Sequence, residues 1–289
     1  MSLVGHGGAN AKTSLEQGVF TKYYNPDTCD GRKRFHRESR YIDFLESQEI
    51  SCFAPKRLYQ RQFHSMAFEY LVDAKPVSPE EFADKFAFFL SKIFLKSQAV
   101  DITRSIPQAK EAMLSPGDLQ RHIRGRLVSL AGTRHLDSEK ADLLNDALKR
   151  KLFSFHCPYV VASPSDIGPH NCLKVDERLY FFDFEYAGRD SITKLLMDMA
   201  LHPSIGLAFE DDEKFLGFMK NFLSQFPLIT AEDLLCLREP FSLLWILRIL
   251  KQLDRLSGSE NSEAEEQVKV RRYALLSFER YFFECNKMN

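Results

Sequence analysis

The pattern of hydrophobic and polar positions changes along the chain, from short apolar segments near the start to long helical faces further on. Residues 14–24 and 64–71 carry the aromatic and β-branched side chains that are typical of strands. Between them, Phe35, Ile42 and Leu45 recur at roughly helical spacing. This first part of the chain therefore predicts a small sheet with one helix.

A stretch with two prolines and no periodicity, residues 72–81, separates this part from a helical remainder. Ser78, Pro79 and Glu81 form a capping box with proline at the first helical position. We therefore expect a small sheet lobe over residues 1–73 and a mainly helical lobe over residues 74–289. Apolar helical faces recur in the second part, at Phe82, Phe86, Phe89, Leu90 and Ile93; at Leu143, Leu144, Ala147 and Leu148; at Phe215, Leu216, Met219, Phe222 and Leu223; and at Leu275, Leu276, Phe278 and Phe282.

One break interrupts the helical part, where residues 159–162, 172–175 and 179–182 are short strand candidates. The second and third candidates are joined by a short turn, which returns the chain to the loop that precedes them. Asp166 and Asn171 in that loop are then close to Asp183, which follows the last strand. Magnesium prefers such oxygen ligands, and one further carboxylate remains to accept a proton. For each residue taken alone, ordinary turn chemistry is the alternative explanation.

Composition excludes several classes of protein. The chain has 289 residues, 44% hydrophobic and 27% charged, and a formal net charge of -1, which is ordinary for a globular protein and gives no reason to expect a nucleic-acid partner. Its six cysteines stand singly, which argues against zinc ribbons and disulfide frameworks and favours reduced thiols in the cytoplasm. No apolar run reaches the ~18 residues of a membrane span, so we expect no membrane partner.

Asp166, four intervening residues, Asn171, a hydrophobic strand and then Asp183-Phe-Glu resemble the catalytic core of the aminoglycoside phosphotransferase and choline kinase family, relatives of the protein kinases. The resemblance implies an α+β, two-lobed protein-kinase-like fold, with a small antiparallel sheet lobe, a larger helical lobe and ATP between them. It implies that Asp166 is the catalytic base and that Asn171 and Asp183 bind Mg²⁺. Asp198 resembles the family's downstream helix aspartate, for which we expect a structural role.

The resemblance extends upstream and keeps the order of the family's elements. It implies that Lys22 contacts the nucleotide phosphates and that Glu38, sixteen residues later on the predicted helix, is its ion-pair partner. Taken without the resemblance, Lys22 is as consistent with a surface lysine and Glu38 with a solvated charged helix face. Further residues that it assigns to nucleotide binding are Gly7, Gly8 and Asn10 in a glycine-containing phosphate loop, and the hinge backbone from Glu69 to Leu71.

One departure from the family pattern bears on catalysis. Pro164 and Ser165 stand where the family usually has histidine and glycine, so the histidine that braces the catalytic loop is missing.

Glu185 is either a further metal or substrate contact or a solvated carboxylate at the end of a hairpin. The helical part shows no acidic cluster for a polycationic aminoglycoside, and no activation segment of the length that a protein-directed kinase needs.

Two other motifs do not hold. Residues 6–13 lack the glycines of a P-loop at His6 and Ala11, and no strand precedes them. His36, His64 and His170 have no metal-ligand spacing to one another.

The sequence therefore predicts an ATP-dependent, Mg²⁺-dependent phosphotransferase that moves the γ-phosphoryl group to a hydroxyl of a small molecule, such as a sugar, an amino alcohol or a related metabolite. The alternative is a catalytically silent kinase-like protein that binds nucleotide or a partner, and Pro164 is the main reason to consider it. The identity of the acceptor and the oligomeric state stay open at this point.

Overall fold

The computed structural model describes residues 12–130, 133, 157–166, 168–202, 205 and 212–256. The predicted helical faces at residues 143–148 and 275–282 lie outside the described residues. By their internal contacts, residues Met1–Ala112 and Val160–Ser191 form one compact unit, and Met113–Tyr159 and Ile192–Asn289 form a second. The five described cysteines, Cys29, Cys52, Cys157, Cys172 and Cys236, are free thiols.

A four-stranded antiparallel sheet opens the first unit. Its strands are β1 (Lys12–Glu16), β2 (Val19–Tyr23), β3 (Arg57–Arg61) and β4 (Ser65–Glu69), in the order β1-β2-β4-β3. The single apolar segment predicted over residues 14–24 is in fact a hairpin, because Gln17 and Gly18 form a two-residue turn with φ of 50° and 76°. Strand β3 was not predicted, since it is a mostly exposed edge strand whose two apolar residues, Leu58 and Tyr59, are adjacent and do not alternate with polar ones.

Helix α1 (Cys29–Ser47) confirms the helix predicted between the strands. It begins where the Thr28 hydroxyl accepts a hydrogen bond from the Gly31 N–H at 3.0 Å, which satisfies one of the free donors of the first turn. Its buried face carries Phe35, Ile42 and Leu45, the three residues whose spacing predicted the helix. A 3₁₀ turn at Ser51–Phe53 follows it.

Helix α2 (Pro79–Ala99) confirms the predicted cap, because the Ser78 hydroxyl accepts from the Glu81 N–H at 3.2 Å. Phe82, Phe86 and Phe89 are fully buried, and the Phe89 ring stacks on Phe181 with 4.4 Å between centroids. Burial of each ring is worth about 1.5–3 kcal/mol, so this face anchors the helix to the rest of the unit. The short helix α3 (Ile102–Ser105) comes next.

Five further strands complete the first unit: β5 (Lys75–Pro76), β6 (Val160–Ser163), β7 (Cys172–Val175), β8 (Arg178–Phe181) and β9 (Gly188–Ser191). Strands β5, β7 and β8 form one antiparallel sheet, and β6 pairs with β9. The predicted hairpin of β7 and β8 is confirmed, with Asp176 at φ 52° in its turn. Strands β5 and β9 were not predicted.

The described part of the second unit consists of helices α4 (Pro116–Leu130), α5 (Ile192–Ala200), α6 (Asp212–Leu223) and α7 (Ala231–Leu256). Helix α7 packs against each of the other three, and its residues 241–250 are buried except for Arg248. A search of the described residues finds no helix that is both long and apolar enough to cross a membrane.

Candidate active site

Lys22 and Glu38 form a buried ion pair in the first unit. Lys22 lies in the middle of the sheet on β2, and its side chain is 8% exposed. Its Nζ donates to Oε2 of Glu38 at 2.8 Å, from the buried face of α1. Lys22 is therefore not a surface lysine, and Glu38 is not part of a solvated charged face. The ion pair that the resemblance implied is present, while its role toward a nucleotide stays a prediction.

Glu38 is held by two further donors. The Tyr24 hydroxyl donates to the same oxygen at 2.5 Å, and the Phe184 N–H donates to the other oxygen at 3.3 Å. Burial raises the pKa of Glu38, and the charge of Lys22 opposes that shift. The Phe184 contact ties helix α1 to the segment that follows β8.

Asp183 and Glu185 approach Lys22 from that segment. The Lys22 ammonium donates to Oδ1 of Asp183 and lies 3.2 Å from Oε2 of Glu185. Asp183 has φ 64°, a left-handed conformation that aspartate tolerates better than most residues. Burial alone lowers the pKa of Lys22, but the three carboxylates outweigh it and raise the pKa well above the usual lysine value. Lys22 is a permanent positive charge there.

Glu185 is buried, so it is not the solvated hairpin-end carboxylate that we considered from the sequence. Its Oε1 accepts from Nη1 of Arg34 at 3.1 Å, and Arg34 also pairs with Asp30 at 2.6 Å. Neither Arg34 nor Tyr24 was predicted from the sequence. The available signal for Arg34 was its position one helical turn before Glu38, on the same face of α1.

The loop with Asp166 and Asn171 is ordered by its own polar groups. The Ser163 hydroxyl accepts from the Ser165 N–H at 3.0 Å, and the Asn171 side-chain amide donates to the Asp166 carbonyl at 3.1 Å. The Asn171 carbonyl accepts from the Phe182 N–H at 3.1 Å, which places Asn171 beside the segment of Asp183. The Asp166 side chain is 41% exposed.

The donor set suits a magnesium ion. Among the described residues, Asp183 is in contact only through Oδ1, so its other oxygen is available, and its side chain is 34% exposed. The Asn171 amide is oriented by its nitrogen, which leaves its oxygen available. One oxygen each of Glu38, Asp183 and Glu185 lie within 4.8 Å of one another. Oxygen ligands with open positions are what Mg²⁺ requires.

Other predicted nucleotide contacts are only partly described. Gly7, Gly8 and Asn10 lie outside the described residues. Glu69 ends β4, where its N–H donates to the Lys56 carbonyl at 2.9 Å and its carboxylate accepts from the Lys56 N–H at 3.0 Å. Glu69 and Leu71 stay predicted hinge contacts.

Asp198 lies in the second unit, on α5. It pairs with Lys194 at 2.8 Å and with Arg248 of α7 at 2.5 Å. Burial alone raises the pKa of Asp198, but the two cations outweigh burial and hold it well below the usual aspartate value. Within this unit, Asp198 ties α5 to α7, which is a structural role.

Several solved structures are similar to this chain over most of its length. A choline/ethanolamine kinase family protein from Mesorhizobium loti matches with a TM-score of 0.60 at 16% identity, over 96% of this chain and 90% of its own. The choline kinase LicA from Streptococcus pneumoniae matches with a TM-score of 0.63 at 14% identity, over 97% and 94%. The chain has a protein-kinase-like fold. The predicted fold class is thereby confirmed.

A third structure with this kinase-like fold is an APH(2") enzyme in complex with GDP and kanamycin, with a TM-score of 0.65 at 12% identity, over 97% of this chain and 93% of that one. At such identities the likeness concerns the fold alone. No protein-family model matches the sequence, and no curated protein matches it significantly.

Proposed function

We propose that the protein is an ATP-dependent phosphotransferase that acts on a hydroxyl of a small molecule. The observation that carries the proposal is the placement of Lys22 against Glu38, Asp183 and Glu185, with Asn171 held beside the same segment. A fixed cation for phosphate and oxygen ligands for a metal are thus built into one region of the first unit. These are the parts that phosphoryl transfer needs.

The structural neighbours support the same class of reaction. They include a choline kinase and a choline/ethanolamine kinase family protein, and others are described in complexes with AMP, GDP or ADP. Enzymes that share a fold need not share a substrate. The proposal therefore rests on the site residues, and the structural neighbours are secondary support.

Each residue has a distinct task in this proposal. Lys22 holds nucleotide phosphates, and Glu38 fixes the direction of its ammonium. Asn171 and Asp183 hold Mg²⁺, which when bound neutralises the charge on the phosphates. Asp166 accepts the proton of the acceptor hydroxyl, as its exposed side chain allows. Catalysis then rests mainly on positioning and charge stabilisation, because the transition state asks for little covalent help.

One observation favours the alternative of a silent nucleotide-binding protein. Ser165 has φ 68°, a strained conformation for serine, directly before Asp166. Pro164 precedes it, at the position where the family that this chain resembles has a histidine. The loop is therefore held without the usual brace.

A coupled ADP-release screen decides between the two. The wild type and Asp166→Asn are tested with Mg-ATP against a panel of sugars, amino alcohols, hydroxy acids and aminoglycosides. The proposal expects acceptor-dependent ADP release by the wild type and little by the variant. A wild type that binds Mg-ATP in a parallel titration but transfers to no acceptor would favour the silent protein. A wild type that does not bind Mg-ATP would contradict both.

A further inference from the structure

The segment before residue 112 is fixed against β9 by backbone contacts. The Ala109 N–H donates to the Arg189 carbonyl at 3.1 Å, and the Arg189 N–H donates to the Pro107 carbonyl at 2.7 Å. The approach is so close that a Cβ on Gly188 would lie 2.4 Å from the Ala109 nitrogen. The Lys110 N–H donates to the Tyr186 carbonyl at 3.1 Å. Lys110 is therefore held in a set position by rigid backbone.

Two cationic side chains lie beside the Tyr186 ring in the first unit, and a third contacts the segment that carries one of them. The Lys110 ammonium lies 4.0 Å from the ring centroid, and the Arg34 guanidinium lies 5.3 Å from it. Arg37, one turn after Arg34 on α1, donates from Nε to the carbonyl of Gln108 at 3.2 Å, and Gln108 is two residues before Lys110. We call Arg37 and Lys110, with the Tyr186 ring, the basic site.

Only one of the three cations is neutralised by contact. Arg34 pairs with Glu185 and Asp30. Among the described residues, no carboxylate lies within 4.0 Å of Arg37 or Lys110. Burial lowers the pKa of Arg37, Asp30 and Tyr186 oppose that shift, and Arg34 adds to it. Burial and the charge of Arg34 lower the pKa of Lys110, while the more distant carboxylates of Asp30, Glu111 and Glu185 oppose the shift. A bound anion would supply the contacting counter-charge that both cations lack among the described residues.

The basic site adjoins the carboxylates around Lys22, because Arg34 contacts Glu185 at 3.1 Å and lies beside the Tyr186 ring. Burial raises the pKa of the Tyr186 hydroxyl, Glu185 raises it further as charge and as hydrogen-bond acceptor, and the charge of Asp166 adds to the shift. The Tyr186 ring faces the Lys110 ammonium. An acceptor with its hydroxyl at Asp166 could reach the basic site with a second functional group.

We propose that Arg37 and Lys110 bind a carboxylate or phosphate group of the acceptor, so that the substrate is an anionic hydroxy compound. That the bound group belongs to a phosphate acceptor rests on the proposed function. The binding of an anion by Arg37 and Lys110 does not depend on it. A planar guanidinium and an ammonium suit either anion. A polycationic or quaternary-ammonium acceptor would meet like charges here and is disfavoured.

Lysine footprinting tests the anion site without turnover. The wild type is acetylated with a limiting lysine-specific reagent, and the rate at Lys110 is followed by peptide mass spectrometry. Probes are glycerate, inorganic phosphate, glycerol and Mg-ATP, at constant ionic strength. Lys33, exposed on the same helix as Arg37 and without a described contact, is the internal control. We expect glycerate and phosphate to slow acetylation of Lys110 several-fold, and glycerol to leave it unchanged.

Two outcomes of the footprint overturn the proposal. One is an unchanged rate at Lys110 with every probe, and the other is protection by Mg-ATP but not by glycerate, which would assign the cations to the nucleotide. Equal protection of Lys33 would show a general salt effect and would also overturn the proposal. Specific protection in a protein that transfers phosphate to nothing would contradict the proposed function and leave the anion site standing.

Kinetics of matched variants test the substrate class. Lys110→Met and Arg37→Gln remove one charge each, and Lys33→Met is the control on the same helix. With an anionic acceptor found in the screen, each of the first two should lower kcat/KM about 10–100-fold through KM, the loss expected for one charged hydrogen bond. Lys33→Met should match the wild type. A screen that returns only neutral or cationic acceptors overturns the proposal.

Discussion

Two buried ion clusters, one in each unit, differ in how their charges are balanced. The open cluster is Lys22 with Glu38, Asp183 and Glu185, where three carboxylates surround one ammonium. The closed cluster is Asp198 between Lys194 and Arg248, where one carboxylate meets two cations.

Exposure separates the two clusters as clearly as charge does. The Asp183 side chain is 34% exposed, whereas that of Asp198 is 9% exposed. A surplus of carboxylates with an accessible oxygen can take up a cation, but a carboxylate enclosed by two cations can only cross-link its neighbours. Both aspartates resemble motif residues of the kinase family described above, and the difference in their counter-charges is why we propose a metal at Asp183 and none at Asp198.

The largest expected effect concerns Asp166, which lies outside both clusters in the loop beside the open one. Asp166→Asn keeps the shape of the loop and removes the proton acceptor. It should cut phosphoryl transfer about 10²–10⁴-fold while Mg-ATP affinity stays nearly unchanged. ADP release and calorimetric titration on one preparation measure both. Equal transfer rates in variant and wild type would disprove the base assignment.

The closed cluster should respond mainly in stability. Asp198→Asn leaves Lys194 and Arg248 buried around an uncharged amide, which should cost about 3–5 kcal/mol of unfolding free energy. The matched control is Asp183→Asn, which should cost less than about 1 kcal/mol, because Asp183 is partly exposed and Lys22 keeps two carboxylates. Urea unfolding compares the two. Similar costs at both positions would remove the distinction between the clusters.

The open cluster should respond to ligand. Mg-ATP should raise the unfolding free energy by about 2.7 kcal/mol at a concentration ~100 times Kd, provided that the unfolded chain does not bind it. A thermal melt with a Mg-ATP series measures the shift. An unchanged melting temperature at millimolar Mg-ATP would count against the enzyme and against the silent nucleotide binder.

How much of this could be predicted from sequence depends on the range of each interaction. Helix α1, the Ser78 cap and the hairpin of β7 and β8 follow from local patterns, and all three are confirmed. Strand β3 was missed because it is a mostly exposed edge strand whose apolar residues do not alternate with polar ones, and β9 because it pairs with a distant strand.

The site shows the same limit. Motif order brought Lys22 and Glu38 together, since the pair is set by a strand and the helix that follows it. The sequence left Glu185 ambiguous, because its burial depends on Arg34, 151 residues away along the chain. The basic site depends on a segment that only the pairing with β9 brings beside Tyr186.

The smallest expected effect concerns the loop that replaces the family's histidine and glycine. Ser165 has φ 68°, where glycine has no steric cost. Ser165→Gly should stabilise the protein by about 0.5–1 kcal/mol, the relief of strain less the added freedom of the unfolded chain. Urea unfolding would check this, with Ser51→Gly at an exposed serine outside the loop as a control. A loss of stability would show that the serine side chain supports the loop.

The central claim is that the open cluster binds a metal-nucleotide complex, and calorimetric titration with ATP tests it most directly. The wild type, Asp183→Asn and Lys22→Ala are each titrated with and without Mg²⁺. We predict that Mg²⁺ tightens ATP binding to the wild type, that Asp183→Asn loses this dependence, and that Lys22→Ala binds more weakly in both conditions. Wild-type affinity in both variants, with the same response to Mg²⁺, would contradict the account.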